Sequence, residues 1–374
     1  MNLVFCGDIM PGGVLPYQKT YIDNNLLSYL RHFDLRIATL ECGIGTNIPF
    51  DNKKMDNNKS IVYARNEDLF RLKDLDINIV SLANNHAFDL GIEGFENTIH
   101  QLDNMGIRHC GAGHNLSEAK KPAVINMEGK SIAFIGCMLD YPKPVIFHVA
   151  TENDYGVYKE NIDSLITDIM DAKKKYDYVI VMPHWGIEHS YYPPAWCKKC
   201  GYKMLEAGAD LVIGSHPHIV NPVIKHNGKY IFFSLGNFLF PDKCMQPPRP
   251  VYYPSSLTEL KSLKRVWTYP SGITEPVVAV WKGRSRIGMT AEITLNNRKV
   301  FEGSYKLVLL DKTNHLHFYD SLLYRFRIKL LAALLHFPHY NKIRCLLESK
   351  LNIFGKILDK NKIFNVPVQA EEYK

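Results

Sequence analysis

Short apolar runs alternate with helix-like stretches through the first 240 residues, and this alternation limits the possible folds more than any other feature. Such a pattern signals βαβ units and a parallel sheet. The runs predict strands at Leu3–Phe5, Arg36–Leu40, Ile77–Leu82, Arg108–Cys110, Ser131–Cys137, Tyr178–Met182, Leu211–Ile213 and Tyr230–Ser234. Over Asn161–Tyr176, Ile162, Leu165, Ile166, Ile169 and Met170 recur at spacings of 3, 1, 3 and 1, one face of a helix. A second helix is expected over Ile92–Met105, where Gly106 offers a C-cap, and a third before Gly208. Strand-like runs return at Pro276–Trp281, Gly288–Leu295 and Tyr305–Leu310, with a hairpin turn expected at residues 295–298. The expected class is α/β.

Six polar motifs directly follow apolar runs: Phe5-Cys6-Gly7-Asp8, Thr39-Leu40-Glu41, Asn84-Asn85-His86, His184-Trp185-Gly186, His216-Pro217-His218 and Ser234-Leu235-Gly236-Asn237. In an open α/β sheet the carboxyl ends of parallel strands share one edge, and ligands bind there. Residues far apart in the chain can therefore meet. Two carboxylates, an amide and several imidazoles in that order form an inventory of metal ligands. A carboxylate at Glu41 could bridge two cations, since each oxygen can serve one. Asp89 stands three residues after His86, where it could orient the imidazole through a hydrogen bond. Taken singly the motifs are weak: a Gly-Asp pair is often a turn, and a histidine at a strand end is often only a hydrogen-bonded polar residue. Pro217 is expected to hold the residue before it extended, and Gly214 to let the chain approach the ions. Mixed imidazole, amide and carboxylate ligands suit Mn, Fe or Zn.

The ordered set resembles the CapA family of capsule and poly-gamma-glutamate biosynthesis proteins, on a calcineurin-like metallophosphoesterase fold. The resemblance rests on Gly7-Asp8-Ile9-Met10, Leu40-Glu41, Asn84-Asn85-His86 with Asp89, His184-Trp185-Gly186 with Glu188, Gly208-Ala209-Asp210 leading to Gly214-Ser215-His216-Pro217-His218, and Ser234-Leu235-Gly236-Asn237-Phe238. It covers about residues 1–300 and implies a sandwich of βαβ-built sheets flanked by helices. It further implies two divalent ions. Asp8 and His218 would bind the first, Glu41 would bridge the pair, and Asn85, His184 and His216 would complete the second. His86, oriented by Asp89, would stabilise developing charge or protonate a leaving group. Glu188 and Asn237 would line or support the site. The wider superfamily has Asp-x-His where this chain has Asp8-Ile9-Met10, so the first metal is one histidine short. The implied activity is hydrolysis of a phosphoester or an amide, such as a γ-glutamyl bond, by a hydroxide held on the metals. The substrate would be a small molecule or a polymer. The alternative is a non-catalytic, membrane-associated component of polymer assembly or export.

The remaining features bound the setting. With 46% hydrophobic and 22% charged residues, wholesale disorder is excluded. The formal net charge is +7, and the stretch 321–362 holds nine Lys/Arg against two Asp/Glu, which accounts for that excess. One domain is expected over residues 1–310, with a proline- and tyrosine-rich loop or lid at 241–275. A basic, apolar helical extension follows over 311–374, broken at Pro338; its second helix carries Ile343, Leu346, Leu347, Leu351, Ile353, Phe354 and Ile357. This extension either packs on the body or meets an anionic membrane surface or capsule biosynthesis proteins. Nucleic acid is not an expected partner, because the positive charge is flanked by apolar residues rather than set in a polar, aromatic-interleaved groove. The eight cysteines lie largely within or beside apolar runs, as reduced cysteines do. Cys197-Lys198-Lys199-Cys200 lacks the second pair that a four-ligand zinc site needs, so a structural role is expected. No secretory signal and no run approaching about 18 apolar residues is visible. The expected location is cytoplasmic, peripheral to the inner face of the membrane.

Overall fold

Strand β1 (Asn2–Ile9) alternates its side chains between two apolar layers: Leu3 and Phe5 face one, Val4 and Cys6 the other, and all four are buried. A strand covered on both faces belongs at the centre of an α/β sheet. In the computed structural model, which describes residues 1–48, 60–139, 148–247, 250–267, 273–295 and 301–348, it lies there. Strands β1, β2 (Leu35–Leu40), β3 (Ile79–Ser81) and β4 (Arg108–Cys110) run parallel in that order.

A second sheet contains β5 (Ala123–Met127), β6 (Lys130–Met138), β7 (Tyr178–His184), β8 (Leu211–Ile213), β9 (Val223–His226) and β10 (Lys229–Phe232). Its order is β9-β10-β8-β7-β6-β5, parallel at the centre with an antiparallel strand at each edge. The sequence reading did not include β5 and β9. Each joins its neighbour through a two-residue turn, Glu128-Gly129 (φ 50° and 71°) and Asn227-Gly228 (φ 49° and 82°). Positive φ at both central residues matches the twist of paired strands.

The chain then returns to the first sheet. β11 (Asn237–Leu239) pairs in parallel with the end of β1, and β12 (Ile287–Leu295) flanks β1 antiparallel. β13 (Phe301–Leu310) and β14 (Leu316–Phe318) complete that edge. Leu295 stands opposite Phe301, and the expected turn at 296–298 lies outside the described residues.

The two sheets share an inner layer. Leu3, Phe5 and Ile37 of the first join Phe134, Ile180 and Phe232 of the second, with the rings of Phe5 and Phe134 centred 6.4 Å apart. Burying one such side chain contributes about 1.5–3 kcal/mol. On the outer face of the first sheet pack α1 (Asn24–Leu30), α2 (Phe70–Asp74) and α3 (Gly91–Asn104), through Leu26, Leu30, Leu72, Phe95 and Leu102. On the second pack α4 (Ile162–Lys175) and α5 (Ala195–Glu206), through Leu165, Ile169, Met204 and Leu205. α4 starts where the Asn161 side chain accepts from the Asp163 and Ser164 amides, each at 3.0 Å. Cys197 lies buried in α5 and Cys200 is partly covered. The result is the α/β sandwich with flanking helices that the motifs implied.

Residues 241–275 carry structure of their own. Lys243–Met245 and Lys264–Trp267 pair with Val277–Val280 as a small sheet, and Leu257–Ser262 is a short helix. At the carboxyl end, α6 (Leu322–Leu334) begins at Ser321, whose hydroxyl oxygen accepts from the Tyr324 amide at 3.2 Å. Residues 340–348 are also helical, while Leu351, Ile353, Phe354 and Ile357 of the expected second helix lie outside the described residues. Among the described residues no helix is long and apolar enough to cross a membrane.

Candidate metal centre

The carboxyl ends of β1, β2, β3, β7 and β8 converge on one edge, and every polar motif of the sequence reading is brought there. Asp8 stands near the end of β1, beside Thr39 on one side and Asn237 on the other. That close approach depends on Gly7, where a Cβ would collide with the Gly236 carbonyl. Glu41 follows β2, held by its own amide donating to Ile9 O at 2.9 Å. Asn84 shapes the next turn: its Nδ2 donates to Leu40 O at 2.8 Å, and its Oδ1 accepts from the His86 amide at 2.9 Å. Asn85 is thereby directed inward.

Two groups of ligand atoms result, Asp8 with Glu41 and His218, and Glu41 with His184 and His216. Within each group the atoms lie within 4.8 Å of one another, and Glu41 belongs to both. His184 Nε2 faces Asn85 Oδ1 at 2.8 Å, His216 Nδ1 at 3.0 Å and Glu41 Oε1 at 3.8 Å. One proton could serve only part of that set; a cation could serve all of it. The four carboxylate oxygens of Asp8 and Glu41 are buried with no hydrogen-bond partner. Buried carboxylates are ordinarily paired or bound to a metal, so the donor set fits divalent cations.

Asn237 sets one tautomer. Its Nδ2 donates to Ser285 O at 2.9 Å, which turns its Oδ1 toward His218 Nδ1 at 2.8 Å. Nδ1 therefore carries a proton, and Nε2, 3.4 Å from Glu41 Oε1, is the nitrogen that would meet a cation. The 3.5 Å separation of His218 Nδ1 from Asp8 Oδ2 is an attraction through space rather than a second hydrogen bond. His86 Nδ1 meets Asp89 Oδ2 at 2.6 Å, and that same oxygen accepts from the Val62 amide at 2.7 Å.

Two local expectations are corrected. His216 is not extended before Pro217: its φ is 96°, and His218 follows at 53°. Positive φ in non-glycine residues is strained, and here both imidazoles reach the same pocket from one short turn. Gly214 is needed for packing rather than for approach to ions. A Cβ there would strike the Phe233 carbonyl and the Trp185 indole nitrogen, which hydrogen-bond to each other at 2.9 Å. The sulfur of Met10, at the position of the missing histidine, accepts from the Gly12 amide at 3.3 Å. Asp210 is structural, tied to Lys173 at 2.6 Å and to the Val179 amide at 2.8 Å.

Electrostatics divides the histidines. Burial pushes His184 well below the ordinary imidazole range and His216 down to about 4, and neighbouring histidines add to the shift in both. Both are therefore neutral near pH 7, as ligands must be. Burial also opposes charge on His218, but Glu41 and Asp8 outweigh it and raise it to about 9. Burial pushes Glu41 well above the carboxylate range; His218 opposes this, and Asp8 and Glu188 reinforce it. Glu188 is half-buried, yet His216, His189, His218 and His86 outweigh its desolvation and hold it at about 2.

Three residues beside the centre were not singled out in the sequence. Lys243 is buried, with Nζ 5.1 Å from the Phe240 ring centre and 4.8 Å from that of Trp281. Burial lowers its pKa to about 8, against Glu41 and Glu188. Trp281 also lies 5.0 Å from His218 and 6.0 Å from His189. His189 follows Glu188 directly and could have been noted; nothing local marks Lys243 or Trp281.

A family model described as "Bacterial capsule synthesis protein PGA_cap" matches residues 2–242. The chain belongs to this family. The match includes every member of both ligand groups and leaves α6 outside. Among curated relatives of this PGA_cap member, the PGA biosynthesis protein CapA of Bacillus subtilis is 34% identical over 190 residues, covering 50% of this chain and 49% of that protein. The capsule biosynthesis protein CapA of Bacillus anthracis is 30% identical over 249 residues, covering 64% and 60%. The chain thus spans between about half and three-fifths of these relatives' length. A solved putative 5'-nucleotidase from Staphylococcus aureus aligns with a TM-score of 0.43 at 14% identity, over 89% of this chain and 59% of that one.

Proposed function

We propose that this PGA_cap family member is a metal-dependent hydrolase of capsule or poly-gamma-glutamate biosynthesis, using two divalent ions that Glu41 and the ligands around it would hold. The observation that carries the reading is Glu41 itself, buried, without a hydrogen-bond partner on either oxygen, and shared by both ligand groups. A pair of such ions, when bound, lowers the pKa of water toward neutrality and clamps the oxygens of the group under attack. Asp8, Glu41 and His218 would hold one ion; Glu41, His184, His216 and Asn85 would hold the other. Asp89 fixes the ring of His86 through Nδ1, and His86 would give a proton to the leaving group. Glu188 and Asn237 support the pocket.

The names of the Bacillus relatives refer to PGA and to capsule, which favours an anionic substrate, either a phosphoester or a γ-glutamyl amide. Lys243 supplies a buried positive charge beside the centre for such a group. Lys243→Met is expected to raise KM more than about tenfold with a smaller change in kcat, the mark of a lost binding contact. A fall in kcat at constant KM would remove Lys243 from substrate binding.

The reading is tested by elemental analysis of purified protein together with a panel of phosphoesters and γ-glutamyl amides. Two Mn, Fe or Zn ions per chain are expected, with at most one retained in His216→Ala, and hydrolysis should need both. A second reading draws on the Asp8 group, which has three ligands and a Met10 sulfur turned to Gly12: a structural metal in a non-catalytic assembly component. No ion after reconstitution, or ions without any hydrolysis, would favour it.

A further inference from the structure

Helix α6 has two apolar faces, and among the described residues only one is covered. Ile328, Leu331 and Leu335 are 2%, 5% and 2% exposed and pack on the body. On the other side Leu322, Leu323, Phe326 and Leu330 are 82%, 80%, 63% and 48% exposed. At 3.6 residues per turn these four positions fill an arc of about 100°, and the three covered residues lie opposite. Soluble surfaces seldom gather so many large apolar side chains on one stripe without a partner.

Charge identifies the partner. Arg325 and the exposed Lys329 border one rim of the stripe, and Arg327 borders the other, its guanidinium 3.8 Å above the rings of both Tyr191 and Tyr324. Residues 320–348 carry Arg325, Arg327, Lys329, Lys342 and Arg344 against Asp320 and Glu348, which meet Arg325 at 3.6 Å and Arg344 at 3.0 Å, so a net positive charge remains. Two copies meeting stripe to stripe would bring these cations together. A flat anionic surface would meet this net positive charge while burying the leucines and the phenylalanine, which is how interfacial helices bind.

We infer that the Leu322/Leu323/Phe326/Leu330 stripe docks this protein on an anionic lipid surface, with α6 lying in the plane of the headgroups. The stripe lies outside the family match, so this property belongs to the chain and is independent of the hydrolase reading. Four residues on a preformed helix bind reversibly, and the attraction weakens as salt screens the cations.

The test is flotation of the full chain with vesicles of phosphatidylglycerol and phosphatidylcholine, against phosphatidylcholine alone, at low and high salt. Binding to the anionic vesicles is expected, weakening with salt and falling about a hundredfold in L323E/F326E. Both substituted side chains are exposed, so an unchanged thermal midpoint is expected and shows that the variant is folded. Absence of binding at low salt, equal binding to both vesicle types, or undiminished binding by the variant would each overturn the inference. So would self-association that the double substitution abolishes, which would make a second copy the occupant.

Discussion

Glu41→Gln is expected to remove both metal ions at once, where His184→Ala removes one. The amide keeps the shape of the side chain but loses the charge and one acceptor oxygen, and Glu41 is the one residue common to both ligand groups. The readout need not be activity. A ligand present at a hundred times its Kd stabilises the folded state by about 2.7 kcal/mol, so the thermal midpoint of the natural protein should climb with added Mn²⁺ or Zn²⁺. In Glu41→Gln it should not move. Without metal the variant should be at least as stable as the natural protein, because burial already disfavours the Glu41 carboxylate. A Glu41→Gln protein that still binds two ions would refute the bridging role.

The affinity of the Asp8 group for its ion is expected to rise at least about tenfold per pH unit from neutrality toward about pH 9. In the metal-free chain Glu41 and Asp8 raise His218 to about 9 against the pull of burial, so at pH 7 its imidazole is charged. That proton occupies the position a cation would take, and binding must expel it. The corresponding stability term has a definite sign. The raised pKa stabilises the metal-free fold fully below the unfolded value of about 6.5, and this is lost as pH climbs through about 9. His184 and His216 are already neutral near pH 7, so they add no further proton to be expelled. Glu41, which burial pushes well above the carboxylate range, must also shed any proton it carries, so calorimetry in buffers of different ionisation heat should detect at least the His218 proton released near pH 7. An affinity flat between about pH 6 and 9 would contradict this account.

The parts of the fold that were legible are those where one physical demand dominates. Leu211–Ile213 is a short, fully buried central strand whose observed ends match its apolar run, and Arg108–Cys110, although an edge strand, is set off by Gly106 and Gly111 on either side. Ala123–Met127 and Val223–His226 are edge strands with mixed exposure, so their hydrophobic pattern is diluted. Only Glu128-Gly129 and Asn227-Gly228 hinted at the hairpins. The candidate ligands were legible because each must stand at the end of an apolar run. The backbone around them was not: His216 adopts positive φ although the proline after it argued for extension, since the surrounding packing overrides that local preference. Lys243 could not be foreseen, because what puts it beside the centre is a small sheet assembled from distant segments. The extension reads as apolar on nearly every side of α6, and only the packed structure divides the covered face from the bare one.

Strand β1 lies between β2 and β12, and this has a consequence for synthesis. β2 leaves the ribosome soon after β1, but β12 begins at Ile287. At 5–20 residues per second the intervening stretch takes roughly 14–60 s to translate. For that time the growing chain carries the middle of its future sheet as an open, hydrogen-bonding border, apolar on both faces and able to template pairing with another nascent chain. Ribosome-bound chains ending shortly before Ile287 are therefore the stage at which this protein depends most on chaperones.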